Sequence, residues 1–131
     1  MIGLDTNVLV RLLVEDDADQ HAQVVALLQG GVEEGHAFFV GDVVLAEVVG
    51  VLQGRYRLSR TDVGGALAAL FEAEHLTFES ADRCLRALRR FQAGGGGFAD
   101  YLIAERAKDG GCESLATFDR ALSAESDCRA P

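Results

Sequence analysis

The chain has only one proline, no tryptophan and no long apolar run. With 49% apolar residues spread along 131 positions, this composition argues against collagen-like, low-complexity and disordered architectures. A membrane-spanning helix needs about 18 or more consecutive apolar residues, and no segment reaches that length. No basic residues precede the apolar stretch at the N-terminus, which is unlike a signal peptide, so we expect a cytosolic protein with no membrane partner.

Cysteine and histidine are too few and too widely spaced to form a recognisable metal or disulfide motif. The cysteines are Cys84, Cys112 and Cys128, and the histidines are His21, His36 and His75. The odd cysteine number fits neither a disulfide framework nor a CxxC pair, so we expect reduced thiols. The histidines lack spacing such as HExxH.

Basic residues are outnumbered by acidic ones, 12 against 21, which gives a formal net charge of -9. Such a balance disfavours broad adhesion to nucleic acid, because like charges repel the phosphate backbone. It does not exclude a nuclease whose own site is acidic. The length fits one domain over residues 1–131.

Short apolar strands alternate with helical patterns along the chain. The predicted strands lie near residues 1–4, 37–41, 75–80 and 113–119, and the predicted helices near 8–14, 21–29, 43–54, 64–73, 82–92 and 99–109. In the second helix the apolar residues Ala22, Val25, Ala26 and Leu28 fall near one helical face, and Gly30 and Gly31 are predicted to end the helix. This alternation predicts an α/β fold with a mainly parallel sheet covered on both faces.

Four acidic residues fall where an α/β fold concentrates its chemistry. Asp5 follows the first predicted strand, Asp119 follows the last, and Asp100 lies in the first turn of the helix after a run of four glycines. Ligands of such folds bind at the carboxyl ends of strands, where helix N-termini converge. Glu47 differs, because it lies within VVLAEVVGVL, a segment that is apolar on every side except at Glu47 and is therefore predicted to form a buried helix. An unpaired charge is disfavoured in such a helix.

Carboxylates gathered in one pocket raise each other's pKa, so such a cluster favours a bound cation. Hard oxygen ligands select Mg²⁺, with Mn²⁺ as the alternative. Such ions activate water and neutralise the charge of a phosphate under attack, which favours phosphodiester hydrolysis. Simpler roles stay open: Asp5 and Asp100 as helix caps, Asp119 at the start of a turn, and Glu47 paired with an arginine of a partner subunit.

Four segments carry a family resemblance: LDTNVLVRLL at residues 4–13, LAEVVGVL at 45–52, GFADYLIAERAKDGGC at 97–112 and LATFDRAL at 115–122. In this order and at these separations they resemble the PIN-domain ribonucleases, specifically the VapC-type toxins of bacterial toxin and antitoxin pairs. The resemblance covers nearly the whole chain. It implies a PIN-like three-layer α/β/α sandwich with a mainly parallel central sheet, although the C-terminal SAESDCRAP is poor in apolar residues for a closing strand.

The resemblance also implies a catalytic and metal-binding set. The four acids that match those the family uses to hold Mg²⁺ and cleave RNA are Asp5, Glu47, Asp100 and Asp119. The polar residues that match the neighbours of the first and fourth acids are Thr6, Asn7 and Thr117. We expect these three to orient carboxylates and bound water through hydrogen bonds, with capping and turn formation as the simpler role.

The implied partners are an RNA substrate, a cognate antitoxin and a second copy of the chain. In the family the antitoxin's C-terminal segment covers the active site and often places an arginine among the carboxylates, which charge-assisted hydrogen bonds would favour. Toxins of this type commonly form homodimers. Apolar residues that offer dimer contacts, although most are expected in the core, are Leu12, Leu13, Leu27 and Leu28.

Two arginine clusters and the glycine run are further candidates. The first cluster lies on one predicted helix and comprises Arg83, Arg86, Arg89 and Arg90; the second lies in a predicted loop and comprises Arg55, Arg57 and Arg60. Either is a candidate for gripping RNA phosphates, but a solvated helix face and a solvated loop are the favoured interpretation. No lysine follows the glycines in the phosphate-loop pattern, so we interpret them as a flexible approach to Asp100.

Three other functional classes compete with the toxin hypothesis. A phosphoacceptor receiver domain needs a lysine near the end of a late strand, whereas the only lysine, Lys108, precedes that strand on a helix. A non-catalytic PIN-like binding module would use its pocket only to receive a basic segment of a partner. A housekeeping PIN nuclease would act without an antitoxin.

Overall fold

The computed structural model describes residues 1–131 and contains seven helices and five short strands. The protein divides into two compact units, Met1–Ala81 and Asp82–Pro131. The first unit contains β1 (Ile2–Gly3), α1 (Thr6–Leu13), α2 (Ala18–Glu33), β2 (Phe38–Val40), α3 (Asp42–Gly54), α4 (Arg60–Glu72) and β3 (Leu76–Phe78). The second contains α5 (Ala81–Ala93), which begins at the boundary, α6 (Phe98–Asp109), β4 (Leu115–Ala116), α7 (Arg120–Ser123) and β5 (Cys128–Arg129).

The three strands of the first unit form a parallel sheet in the order β1-β2-β3. Phe38 lies opposite Ile2 on one side and Leu76 on the other. Both Phe38 and Val40 are completely buried, as expected for the central strand of a sheet with covered faces. The α/β class and the parallel sheet predicted from the sequence are confirmed.

Helix α2 differs from its prediction at both its end and its buried face. It continues through Gly30 and Gly31 to Glu33, and the chain turns at Gly35, which adopts a φ of +82°. A Cβ at Gly31 would lie 2.3 Å from Cζ of Phe38, so this glycine allows close packing rather than ending the helix. The prediction that these glycines stop the helix is therefore wrong.

The apolar face predicted for α2 is only partly its buried face. Val24 and Gly31 are its buried residues, whereas Ala22 and Ala26 are exposed. Apolar residues lie on more than one side of α2. The side that contains Gly31 is the buried one, because it packs closely against β2.

Helix α3 buries one face instead of all its surface. Leu45, Val48 and Leu52 are completely buried, but Val43 is 69% exposed. Helix α4 begins at Ser59, whose hydroxyl accepts a hydrogen bond from the backbone N–H of Asp62 at 3.1 Å. This contact makes Ser59 the N-cap of α4.

In the second unit, α5 buries Cys84, Ala87, Leu88 and Phe91. The ring of Phe91 packs edge-on against Phe98 at the start of α6, with 6.1 Å between the ring centroids. Strands β4 and β5 pair in parallel, so a closing strand forms despite the polar C-terminal sequence, although it spans only two residues.

The three cysteines are unpaired; Cys84 and Cys128 are buried and Cys112 is exposed. None of the helices combines the length and the apolar character that crossing a bilayer requires.

Candidate functional site

Asp5 lies between β1 and α1, and its carboxylate caps the helix. The Asp5 Oδ1 atom accepts a hydrogen bond from the backbone N–H of Thr6 at 2.7 Å. The capping role predicted for Asp5 is therefore real, and it leaves Oδ2 without a partner in the chain. Asp5 is exposed, so its carboxylate is accessible to a ligand from solvent.

Glu47 of α3 is brought to the start of α1 by Thr6. The buried Thr6 hydroxyl donates a hydrogen bond to Glu47 Oε2 at 2.7 Å, across 41 positions of sequence. Glu47 itself is exposed, so the interpretation of it as a charge inside a wholly apolar helix is wrong. Thr6 thus contacts both first-unit candidates, one through its backbone and one through its hydroxyl, which matches the orienting role proposed for it. Asn7 is exposed beside them.

Asp100 lies in the first turn of α6, directly after the glycine loop, Gly94–Gly97. A Cβ at Gly97, the N-cap residue, would lie 3.1 Å from Asp100 Oδ2, tighter than most real Cβ contacts. The absence of a side chain at Gly97 therefore leaves room for the carboxylate. The helix N-terminus also favours a negative charge at this position.

The glycine loop packs closely on Tyr101, the residue after Asp100. The backbone N–H of Gly96 donates to the Tyr101 hydroxyl at 3.0 Å, and that hydroxyl donates to Glu125 at 3.3 Å. A Cβ at Gly94 would lie 2.2 Å from the same oxygen, and one at Gly96 would lie 2.8 Å from Tyr101 Cζ. The interpretation of the loop as a flexible approach to Asp100 is wrong, because two of its glycines are needed for contact with a completely buried ring.

Asp119 caps the short helix α7. Its Oδ1 atom accepts from the backbone N–H of Leu122 at 2.8 Å, and its own N–H donates to the Thr117 hydroxyl at 3.0 Å. The turn role and the capping role considered for these residues are therefore present. They leave Asp119 exposed, with its second carboxylate oxygen unengaged.

None of the four candidate acids has a basic partner within 4.0 Å, and this sets them apart from many other acids of the chain. The paired acids include Asp16, Glu105, Asp109 and Asp127. Within each unit, no three side chains of His, Cys, Asp or Glu converge closely enough to hold a metal ion. In the first unit Asp5 and Glu47 both accept a hydrogen bond from Thr6, whereas in the second Asp100 lies in the first turn of α6 and Asp119 caps α7.

The α5 arginines are occupied by ion pairs within the second unit. Arg86 and Arg90 both donate to the buried Glu105, at 2.9 and 3.1 Å. Arg90 also holds Asp127 through two hydrogen bonds of 2.7 and 2.9 Å, and this contact lowers the pKa of the Asp127 carboxyl. Arg83 donates to Asp109 at 3.0 Å. Only Arg89 of this cluster is both exposed and unpaired, so the interpretation of the arginine face as solvated is wrong and most of it is not available to phosphates.

Sequence reasoning missed Tyr101 and its glycine contacts. The only signal was the position of Tyr101 between an acidic candidate and a run of glycines, and this does not reveal that the ring turns back onto the loop. It also missed an apolar groove of about 820 Å³ in the first unit, lined mainly by the ends of α1, α2 and α4 and the start of β3. Leu12, Leu13 and Leu28 line this groove and are half-buried, so the expectation that they belong to the core is wrong.

Comparison with known families gives one match. The family model described as PIN domain matches residues 2–124, which is nearly the whole chain. No curated protein matches the chain.

Proposed function

The chain belongs to the PIN-domain family, and from that premise we propose that it is a Mg²⁺-dependent endoribonuclease that acts as the toxin of a toxin and antitoxin pair. PIN domains are generally metal-dependent nucleases. The observation that carries the proposal is that Asp5, Glu47, Asp100 and Asp119 all lack a basic partner in a chain that pairs many of its other acids. Acids left unpaired and accessible are suited to a cationic ligand.

Carboxylate oxygens are hard ligands of the kind that Mg²⁺ selects, and the metal ligands that we propose are Asp5, Glu47, Asp100 and Asp119. When bound, the metal supplies a positive charge that stabilises a phosphodiester under attack and promotes deprotonation of water. Thr6 fixes the Glu47 carboxylate through its hydroxyl and leaves Oε1 free. Asp5 keeps Oδ2 free while its other oxygen caps α1. These oxygens are positioned before a ligand arrives, which limits the conformational entropy lost on binding.

The proposal is tested by incubating the purified protein with RNA in Mg²⁺, in EDTA, and in EDTA followed by excess Mg²⁺. We expect cleavage only in the first and third conditions. Asp5→Asn and Asp100→Asn should abolish cleavage, because each removes a charge while keeping an oxygen that can accept a hydrogen bond. Asp17→Asn is the matched control, since Asp17 is the N-cap residue of α2 as Asp5 is of α1. Cleavage by Asp5→Asn at the parental rate, or cleavage that persists in EDTA, would refute the mechanism.

We propose two protein partners on the same grounds. The accessible acids suit a basic segment of an antitoxin, and the groove lined by Leu12, Leu13 and Leu28 suits an apolar contact with a second copy of the chain. Growth arrest on expression, relieved by co-expressing the product of an adjacent small gene, tests the antitoxin. Sedimentation of the parent against Leu12→Glu tests the homodimer.

Cleavage without growth arrest would favour a housekeeping nuclease, and absence of cleavage would favour a binding module. We also propose that the protein acts in the cytoplasm, where it would encounter its RNA substrate.

A further inference from the structure

Phe118 is the most exposed large apolar side chain of the protein, at 90%, and it directly precedes Asp119. A phenylalanine ring left almost completely in water loses the favourable free energy that burial would provide. The nearby Leu122 is, in contrast, completely covered. The exposed ring therefore lies immediately beside one of the acids proposed to act on the substrate.

The backbone around Phe118 is held by hydrogen bonds on both sides. The N–H of Thr117 donates to the carbonyl oxygen of Arg129 at 2.9 Å, which extends the pairing of β4 with β5. The N–H of Asp119 donates to the Thr117 hydroxyl at 3.0 Å, and Asp119 caps α7. These contacts hold the segment on which the exposed ring stands.

Two arginines beside this segment are exposed and have no acidic partner within 4.0 Å. Arg120 begins α7, and Arg129 is the register partner of Ala116 in β5. Exposure alternates from Leu115 to Phe118, so Ala116 and Phe118 belong to the same open face as Arg129. The unpaired state of both arginines contrasts with the ion-paired α5 arginines and leaves two positive charges available to a ligand.

We propose that Phe118, Arg120 and Arg129 form a platform for single-stranded nucleic acid, in which the Phe118 ring stacks on an unpaired base and the two guanidinium groups contact flanking phosphates. An aromatic face combined with unpaired cations is the combination that single strands recognise, and stacking on a side chain tolerates any base. The platform would hold a nucleotide next to Asp119. This inference rests on the proposed nuclease function and names the residues that would engage the substrate strand.

The test measures the affinity of a fluorescently labelled single-stranded RNA by anisotropy, in Mg²⁺, with Asp5→Asn as the parent so that the RNA is not cut. We expect Phe118→Ala to raise Kd about tenfold or more, Phe118→Leu to behave like Phe118→Ala, and Phe118→Trp to retain parental affinity. Ile103→Ala is the matched control, because Ile103 is also exposed, at 54%, and it should bind like the parent. Arg120→Gln should weaken binding and lower the slope of log Kd against log salt by about 0.7.

An RNA with an abasic site at the stacked position should bind equally well to the parent and to Phe118→Ala. The platform is refuted if Phe118→Ala stays within twofold of the parent for every RNA, or if Phe118→Leu restores full affinity. It is also refuted if Phe118→Ala changes only the oligomeric state, which would identify a protein interface. Cleavage by the protein with Asp5 intact is scored separately. RNA binding without cleavage would overturn the nuclease proposal and keep the platform. Cleavage that Phe118→Ala leaves unchanged would overturn the platform and keep the nuclease proposal.

Discussion

Replacing Gly94 with alanine should destabilise the protein through one identifiable contact. The new Cβ would lie 2.2 Å from the Tyr101 hydroxyl oxygen and 3.2 Å from the backbone oxygen of Arg90. Tyr101 is completely buried and its hydroxyl is held by Gly96, so the ring cannot yield without losing a hydrogen bond. Overpacking of this kind costs about 1–3 kcal/mol in free energy of unfolding.

For a chain of 131 residues, each kcal/mol corresponds to roughly 4 °C in Tm. We therefore expect Gly94→Ala to lower Tm by about 4–12 °C. Gly95→Ala is the matched control, because nothing lies within 4 Å of a Cβ at Gly95. Gly95 does not adopt a positive φ, so the smaller unfolded-state entropy of the alanine variant should raise stability by about 0.4–1 kcal/mol.

A double-mutant cycle with Tyr101→Phe isolates the hydroxyl contact. Tyr101→Phe alone leaves the buried N–H of Gly96 without its acceptor, at a cost of about 1–3 kcal/mol. In that background the nearest ring atom to an alanine Cβ at Gly94 becomes Cζ, at 3.2 Å, so Gly94→Ala should cost at least about 1 kcal/mol less than in the parent.

Urea unfolding of the parent, Gly94→Ala, Tyr101→Phe and the double variant measures the coupling energy. RNA cleavage, at a temperature where all four proteins are folded, measures whether the changed loop affects the function proposed for Asp100. The reasoning is refuted if the two costs are additive, or if Gly95→Ala is as damaging as Gly94→Ala.

Three further predictions concern other contacts. Thr6→Val removes the hydroxyl that holds Glu47 and should reduce Mg²⁺ affinity or cleavage about 10–100-fold while Thr6→Ser keeps both, as measured by Mg²⁺ titration of the cleavage rate. Gly31→Ala places a Cβ 2.3 Å from the buried ring of β2 and should lower Tm, whereas Gly30→Ala meets nothing within 4 Å and should not. Because its arginine partner lowers the pKa of Asp127, this carboxylate stabilises the folded state above its unfolded pKa of about 4. That contribution disappears as pH falls below about 4, so urea unfolding should show a steeper acid loss of stability for the parent than for Asp127→Asn.

Local sequence patterns determined the fold class and the candidate acids. Alternating apolar strands and helices specify parallel pairing, since a parallel strand must be reached through a crossover. Helix caps could be predicted because they depend on neighbouring residues. Asp5 precedes the first residue of its helix and accepts a hydrogen bond from the next backbone N–H. Asp100 was found by its place in the first turn of a helix and Asp119 by its place at the end of a strand, and both depend only on neighbouring residues.

Only the tertiary structure decided which glycines matter and which charges are satisfied. Gly30 and Gly31 are adjacent and alike in sequence, yet only Gly31 lies against Phe38. The link from Thr6 to Glu47 spans 41 positions, and the arginines of α5 find their acids on α6 and near β5. Each of these outcomes depends on which distant segment packs within a few ångströms, and short-range periodicity carries no information about that distance. The composition thus established an excess of acidic over basic residues, whereas packing determined which acidic residues are left without a basic partner.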